Sequence, residues 1–262
     1  MRDLPWLTSR PIAHRGLHNK EAGCVENTSQ AVKAAISRNF SIEVDLQQTN
    51  DEEAIVFHDE ALERLTEGAG EVVQTNLADL RKLKMRGSSD PMWTLDELLE
   101  IVNGSVPLVI ELKSLFRGDY QDGYLTKVGK TLSRYKGPIA VKSFDPHMLR
   151  LFKHQQPQIF RGALAGNLDR EQKKEMNKIQ QFAVPRLLHM VRTQPDFISY
   201  RLEGLPVPIA RYMRRWRQLP IISWTVKSPQ QQQLALLYAD QIVFEGFDPD
   251  IADTTGASLK QA

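Results

Sequence analysis

Short apolar runs alternate along the chain with longer segments in which apolar residues recur at helical spacing. The runs at 11–13, 42–46, 107–112, 139–143, 160–165, 196–200, 220–226 and 241–244 are mostly β-branched and bounded by Gly, Pro, Asn or Asp. That composition predicts strands buried on both faces, as in a parallel sheet. The segments at 27–38, 94–102, 122–135, 146–154, 169–182, 208–217 and 229–238 predict helices. Thr94 precedes Glu97 at capping-box spacing, and Ser228 places a cap before the first-turn Pro229.

A helix after nearly every strand predicts an α/β fold, either a (β/α)8 TIM barrel or a doubly wound open sheet. Length favours the barrel, which commonly occupies about 250 residues, and this chain has 262. Residues 54–93 break the rhythm with a short strand at 54–58, a Glu67-Gly-Ala-Gly70 turn and polar, irregular sequence. The expectation is one domain over 1–262 carrying a small insertion at 59–93 after the second strand, with a disordered tail beyond Asp253.

Composition narrows the partners. Lysine and arginine number 34 against 32 acids, a net charge of +2 that argues against a nucleic-acid surface. Cys24 is the single cysteine, so no internal disulfide can form. Residues 1–12 lack the apolar stretch of a secretory signal, and nowhere do about 18 apolar residues run together. These features predict a soluble, cytoplasmic protein. They leave its oligomeric state open.

Candidate chemistry collects at strand ends. Glu43-Val-Asp45 puts two carboxylates on one face of the second strand, about 6.5–7 Å apart along it. Glu111-Leu-Lys113 repeats the pattern on the next long strand. Three carboxylates from neighbouring strands form an all-oxygen donor set suited to Mg²⁺ or Ca²⁺. The competing explanation is a buried ion network with Lys113 or Arg15. His14 and His58 end strands at the side where barrel active sites are built, and an imidazole can take and return a proton near neutrality. Arg15 and Lys113 offer fixed positive charge for a phosphate, and Gly16 permits a sharp turn. Together these groups match an anionic phosphoryl centre.

His14-Arg15-Gly16, Glu26-Asn27-Thr28, Glu43-Val-Asp45, Val56-Phe-His58-Asp59, Leu62 with Arg64 and Thr66, Glu111-Leu-Lys113, Ser143-Phe-Asp145 and Trp224-Thr-Val226 resemble, in order and spacing, the motifs of glycerophosphodiester phosphodiesterases. The resemblance is densest over 11–114. It implies a TIM barrel and divalent-metal-dependent hydrolysis of glycerophosphodiesters to an alcohol and glycerol 3-phosphate. By that similarity Glu43, Asp45 and Glu111 hold the metal, His14 and His58 form the acid/base pair, Arg15 and Lys113 hold phosphate, and Trp224 walls the substrate glycerol. Three positions depart from the family pattern: Val25 stands for proline, Asp51-Glu52 for Asp-Gly, and Phe244-Glu245 for Thr-Asp. The last bears on substrate preference.

Other function classes fit less well. No His-x-His or His-Glu-x-x-His pair supports a metal amidohydrolase, and no nucleophile elbow, Walker loop or dinucleotide fingerprint occurs. A lysophospholipase D-type activity keeps the chemistry and changes the substrate. A non-catalytic phosphate-binding barrel leaves both histidines unexplained. His147, His154 and His189 are read as surface residues, His18 as a solvent-facing loop residue with a place beside the site as its alternative, and 171–178 as an exposed charged helix face. Arg211-Tyr-Met-Arg-Arg-Trp-Arg217 could touch an anionic membrane, although a solvated helix face is the commoner explanation.

Overall fold

Every residue of β2 (Ser41–Gln48) is buried, because this strand has a packed layer on each side. Ile42, Val44 and Leu46 join the outer core beneath helices Ser29–Ser37 and Leu95–Val102. Alternation turns Ser41, Glu43, Asp45 and Gln47 to the opposite, inner side. The computed structural model describes residues 4–167 and 176–254. Within them the strands are β1 (Ile12–Ala13), β2, β3 (Ala54–Val56), β4 (Leu108–Leu112), β5 (Ile139–Ser143), β6 (Phe160–Ala165), β7 (Phe197–Arg201), β8 (Ile221–Val226) and β9 (Gln241–Phe244).

All strands except β3 pair in parallel, and β1 pairs with both β2 and β9. That double pairing closes the sheet into an eight-stranded TIM barrel and excludes the open sheet. The short β3 lies antiparallel against the end of β2, Leu46 opposite Val56. Residues beyond it build a satellite core of Ile55, Phe57, Leu62, Leu65, Val72, Leu80, Met85 and Met92 with Val25.

Inside the barrel, Ile12, Val109, Ala140, Phe197, Ile222 and Val243 form an apolar floor. Leu4 and Leu7, from helix Pro5–Ser9 and the residue before it, pack onto that floor. The helix is too short to show a period in sequence, so no pattern predicted it. Two residues further along each strand, the same inward rows carry His14, Glu111, Lys142, Ser199, Trp224 and Glu245. The change from apolar to polar over one pleat sets where the core ends and the mouth begins.

Outside 169–182, every expected helix is present with its ends within a few residues of the expected ones. Thr94 and Glu97 form a reciprocal capping box, and Ser228 Oγ accepts from Gln231 N at 3.2 Å. Most of the helix expected at 169–182 and of the charged face at 171–178 lies outside the described residues, as does the tail beyond Thr254. Helix Lys178–Ala183 is the described end of that segment. Among the described residues, no helix is long and apolar enough to cross a membrane.

The turn after β1 depends on Gly16. Arg15 and Gly16 both take left-handed backbone angles (φ 54° and 78°), folding the chain back across Glu43 and Ala31. A Cβ on Gly16 would sit 2.8 Å from the Ala31 backbone carbon. Gly16→Ala should therefore cost about 1–3 kcal/mol, seen as a lower midpoint in thermal denaturation. An unchanged midpoint would show that Ala31 yields without strain.

Candidate active site

Asp45 and Glu111 are direct cross-strand partners, and Glu43 lies on the same inner face one pleat below Asp45. All three are buried, and each offers an oxygen within 4.8 Å of the other two. Like charges this close need compensation. Lys113 Nζ lies 3.0 Å from Asp45 Oδ1 and 2.6 Å from Glu111 Oε1. Lys142, buried on β5 opposite Glu111, reaches Glu43 Oε1 at 2.9 Å and Glu111 Oε2 at 3.4 Å. Asn27 Nδ2 donates to Asp45 Oδ2 at 2.9 Å, and the Arg15 backbone N–H donates to Glu43 Oε2 at 3.1 Å.

Burial raises the proton affinity of Asp45, but Lys113, then His58 and Arg15, hold its pKa well below the ordinary value. Glu111 is likewise lowered: burial opposes this, and Lys113 and Lys142 outweigh it. The same pairs raise Lys113 and Lys142 against their own desolvation. Asp45 and Glu111 are therefore ionised, as ligands must be. The ion-network reading and the metal reading are thus compatible, since each carboxylate retains lone pairs that these contacts leave unused. Three buried, hard oxygen donors fit a divalent cation of the Mg²⁺ or Ca²⁺ kind.

Each predicted histidine is backed by a carboxylate. His14 Nδ1 lies 2.8 Å from Glu245 Oε2, and His58 Nδ1 lies 2.8 Å from Asp59 Oδ1. Glu245 stands where the family pattern has aspartate, and its longer side chain still meets the imidazole. Asp59 is gripped by Arg64 at 2.5 and 2.8 Å, and Arg64 also binds both oxygens of Glu26. Glu26 in turn accepts from Arg15 Nη1 at 2.5 Å. A continuous run of charge, Arg15–Glu26–Arg64–Asp59–His58, thus joins a phosphate-binding candidate to an acid/base candidate.

Trp224 is part-buried in the inner row, 5.9 Å from the Phe144 ring and 4.9 Å from the Arg201 guanidinium carbon. Its Nε1 is buried with no hydrogen-bond partner among the described residues. All eight predicted site residues thus belong to strands β2, β4 and β8 or to the segments that directly follow β1, β3 and β4. His18 takes the less favoured of its two readings, and the surface reading of His189 needs correction. His18 is half-buried beside His14 and Glu245, because the Gly16 turn folds it back over the barrel. His189 is buried in the outer core, where desolvation takes its pKa down to about 4 and keeps it neutral. His154 is exposed as expected, and His147 pairs with Asp122 at 2.6 Å.

The model of the glycerophosphoryl diester phosphodiesterase family matches residues 14–245, from the first candidate histidine to its carboxylate partner. The chain belongs to this family. A glycerophosphodiester phosphodiesterase of Caldanaerobacter subterraneus subsp. tengcongensis is 33% identical over 168 residues, 58% of this chain and 65% of that one. One of Bacillus subtilis is 30% identical over 173 residues, 56% of each. The chain spans about three fifths of the length of the curated relatives it matches. Among solved structures, an Oleispira antarctica phosphodiesterase in complex with the product sn-glycerol-3-phosphate has a TM-score of 0.74 at 19% identity, covering 94% of this chain and 95% of that one. A Thermotoga maritima glycerophosphodiester phosphodiesterase has a TM-score of 0.66 at 20% identity, covering 90% and 94%. These two share the barrel fold of the family.

The carboxylates around the family's shared barrel mouth also set an acid limit here. Glu26 is part-buried, yet hydrogen bonds from Arg64 and the charge of Arg15 lower it to about 2. The His14 hydrogen bond lowers Glu245 to about 2. An unfolded glutamate titrates near about 4.3, so these contacts stabilise fully above that value and are lost as pH falls toward 2. The urea midpoint should drop between pH 5 and pH 2, and Glu26→Gln should flatten that drop. A variant with the wild-type slope would remove Glu26 from the acid response.

Proposed function

We propose that this protein hydrolyses glycerophosphodiesters to an alcohol and sn-glycerol 3-phosphate, using one divalent cation, Mg²⁺ or Ca²⁺, on a single barrel domain with 59–93 as an insertion. The observation that carries this reading is the gathering of Glu43, Asp45 and Glu111 beside two histidines that each have a carboxylate partner. Held by the three carboxylates, the cation supplies charge neutralisation at the phosphoryl oxygens.

The remaining work falls to the protein's own side chains. Glu245 and Asp59 accept from the Nδ1–H groups of His14 and His58, which leaves each Nε2 free to exchange a proton. One imidazole removes the proton from the glycerol hydroxyl next to the diester, and that oxygen attacks phosphorus. The other protonates the departing alcohol. Water then opens the cyclic phosphate with the two roles exchanged. Arg15 and Lys113 bind the phosphate charge, and the partnerless Nε1 of Trp224 donates to a substrate oxygen. The need for a neighbouring hydroxyl selects glycerol.

The test is a panel of glycerophosphodiesters, a lysophospholipid and a diester lacking the neighbouring hydroxyl, each with and without chelator. Cleavage of the glycerophosphodiesters alone, lost in chelator and restored by Mg²⁺ or Ca²⁺, is expected. Full activity in chelator would sink the metal assignment, and equal cleavage of the hydroxyl-free diester would replace the cyclic route with direct attack by water.

A further inference from the structure

A second donor set of different chemistry lies at the same mouth. His14, His18 and Glu245 each offer a ligand atom within 4.8 Å of the other two. His14 Nδ1 and Glu245 Oε2 are already 2.8 Å apart. His18 arrives through the left-handed Arg15–Gly16 turn, and its Nε2 is buried with no hydrogen-bond partner among the described residues. A buried imidazole nitrogen with no partner forgoes a hydrogen bond that a ligand would supply. Burial also lowers the His18 pKa, which favours the neutral ring that metals bind. Two imidazoles and one carboxylate suit zinc, whereas the neighbouring all-oxygen trio suits harder ions. With bonds of about 2.0–2.1 Å, tetrahedral zinc holds its donors roughly 3.4 Å apart, so closure here needs side-chain shifts on the order of 1 Å.

We propose that this protein binds Zn²⁺, or a dication of similar softness, through His14, His18 and Glu245, and that this occupancy blocks turnover. Zinc would take the Nδ1 lone pair of His14 and the carboxylate that orients it. The single proton of the neutral ring then moves from Nδ1 to Nε2, so Nε2 can no longer accept one from substrate. The block rests on the acid/base reading of His14; the binding does not.

The experiment compares wild type with His18→Gln and His18→Ala in millimolar Mg²⁺, which fills the oxygen trio. Zinc retained after dialysis is measured, visible absorbance is recorded with Co²⁺ as a probe, and hydrolysis of a glycerophosphodiester is assayed as zinc is added. Wild type should retain one equivalent, show a Co²⁺ band and lose activity. Both variants should match wild-type activity without zinc and need at least about tenfold more zinc for retention and inhibition, the low end of what losing a metal-site partner costs. Equal zinc affinity in all three proteins would overturn the proposal, as would one retained equivalent with full activity. If no substrate is turned over at all, retention and the Co²⁺ band still decide the site, and Asp45→Asn should keep both.

Discussion

His14→Ala and His58→Ala should each lower kcat by about 10²–10⁴-fold, the usual worth of one acid/base group, without unfolding the protein. Neither ring is part of the apolar core, and each leaves its carboxylate with another partner. Asp59 keeps two contacts with Arg64, and Glu245 keeps Lys227 at 3.4 Å. Thermal midpoints near wild type should therefore accompany the loss of turnover. The two variants should differ with a substrate whose leaving group needs no proton, such as a nitrophenyl diester. The variant lacking the acid recovers much of its rate, whereas the one lacking the base does not. This comparison assigns the roles that symmetric carboxylate backing leaves equivalent. A wild-type kcat in either variant would remove that histidine from the reaction.

Glu43→Ala should have the largest combined effect, on both activity and stability. It removes one of the three proposed cation ligands, and among the described residues it leaves buried Lys142 with the 3.4 Å contact to Glu111 as its remaining ion pair. Breaking a buried ion pair from one side costs about 3–5 kcal/mol, readable from urea unfolding. Activity should fall to the level of wild type in chelator. A double variant, Glu43→Leu with Lys142→Met, removes both charges and fills similar volume, so it should regain most of the stability and none of the activity. If Glu43→Ala unfolds at the wild-type midpoint, Lys142 does not depend on this pair.

The barrel was legible because its strands are buried on both faces and its helices carry ordinary start signals. Closure was not written in any one strand, and followed only from β1 pairing on both edges. The carboxylate trio was legible because residues two apart share a face, so Glu43 and Asp45 announced a common direction and Glu111 repeated it. Lys142 was missed, although its position inward of an apolar strand was available as a signal; a single lysine there has no patterned neighbour to give it meaning. Glu26, Asp59 and Arg64 lay within recognised motifs, yet their role as a chain of ion pairs depends on contacts as far as 38 residues apart. The burial of His18 and His189 was not legible, because it is decided by what folds over the ring. In one case that is a left-handed turn and in the other a helical layer.

Leu4 and Leu7 stopper the barrel from beneath, seated on a layer of apolar side chains. The barrel is therefore plugged at the end away from the carboxylates. Under the proposed reaction, fuel and waste share one doorway, so the released alcohol and the phosphorylated glycerol both leave by the end through which the next molecule enters.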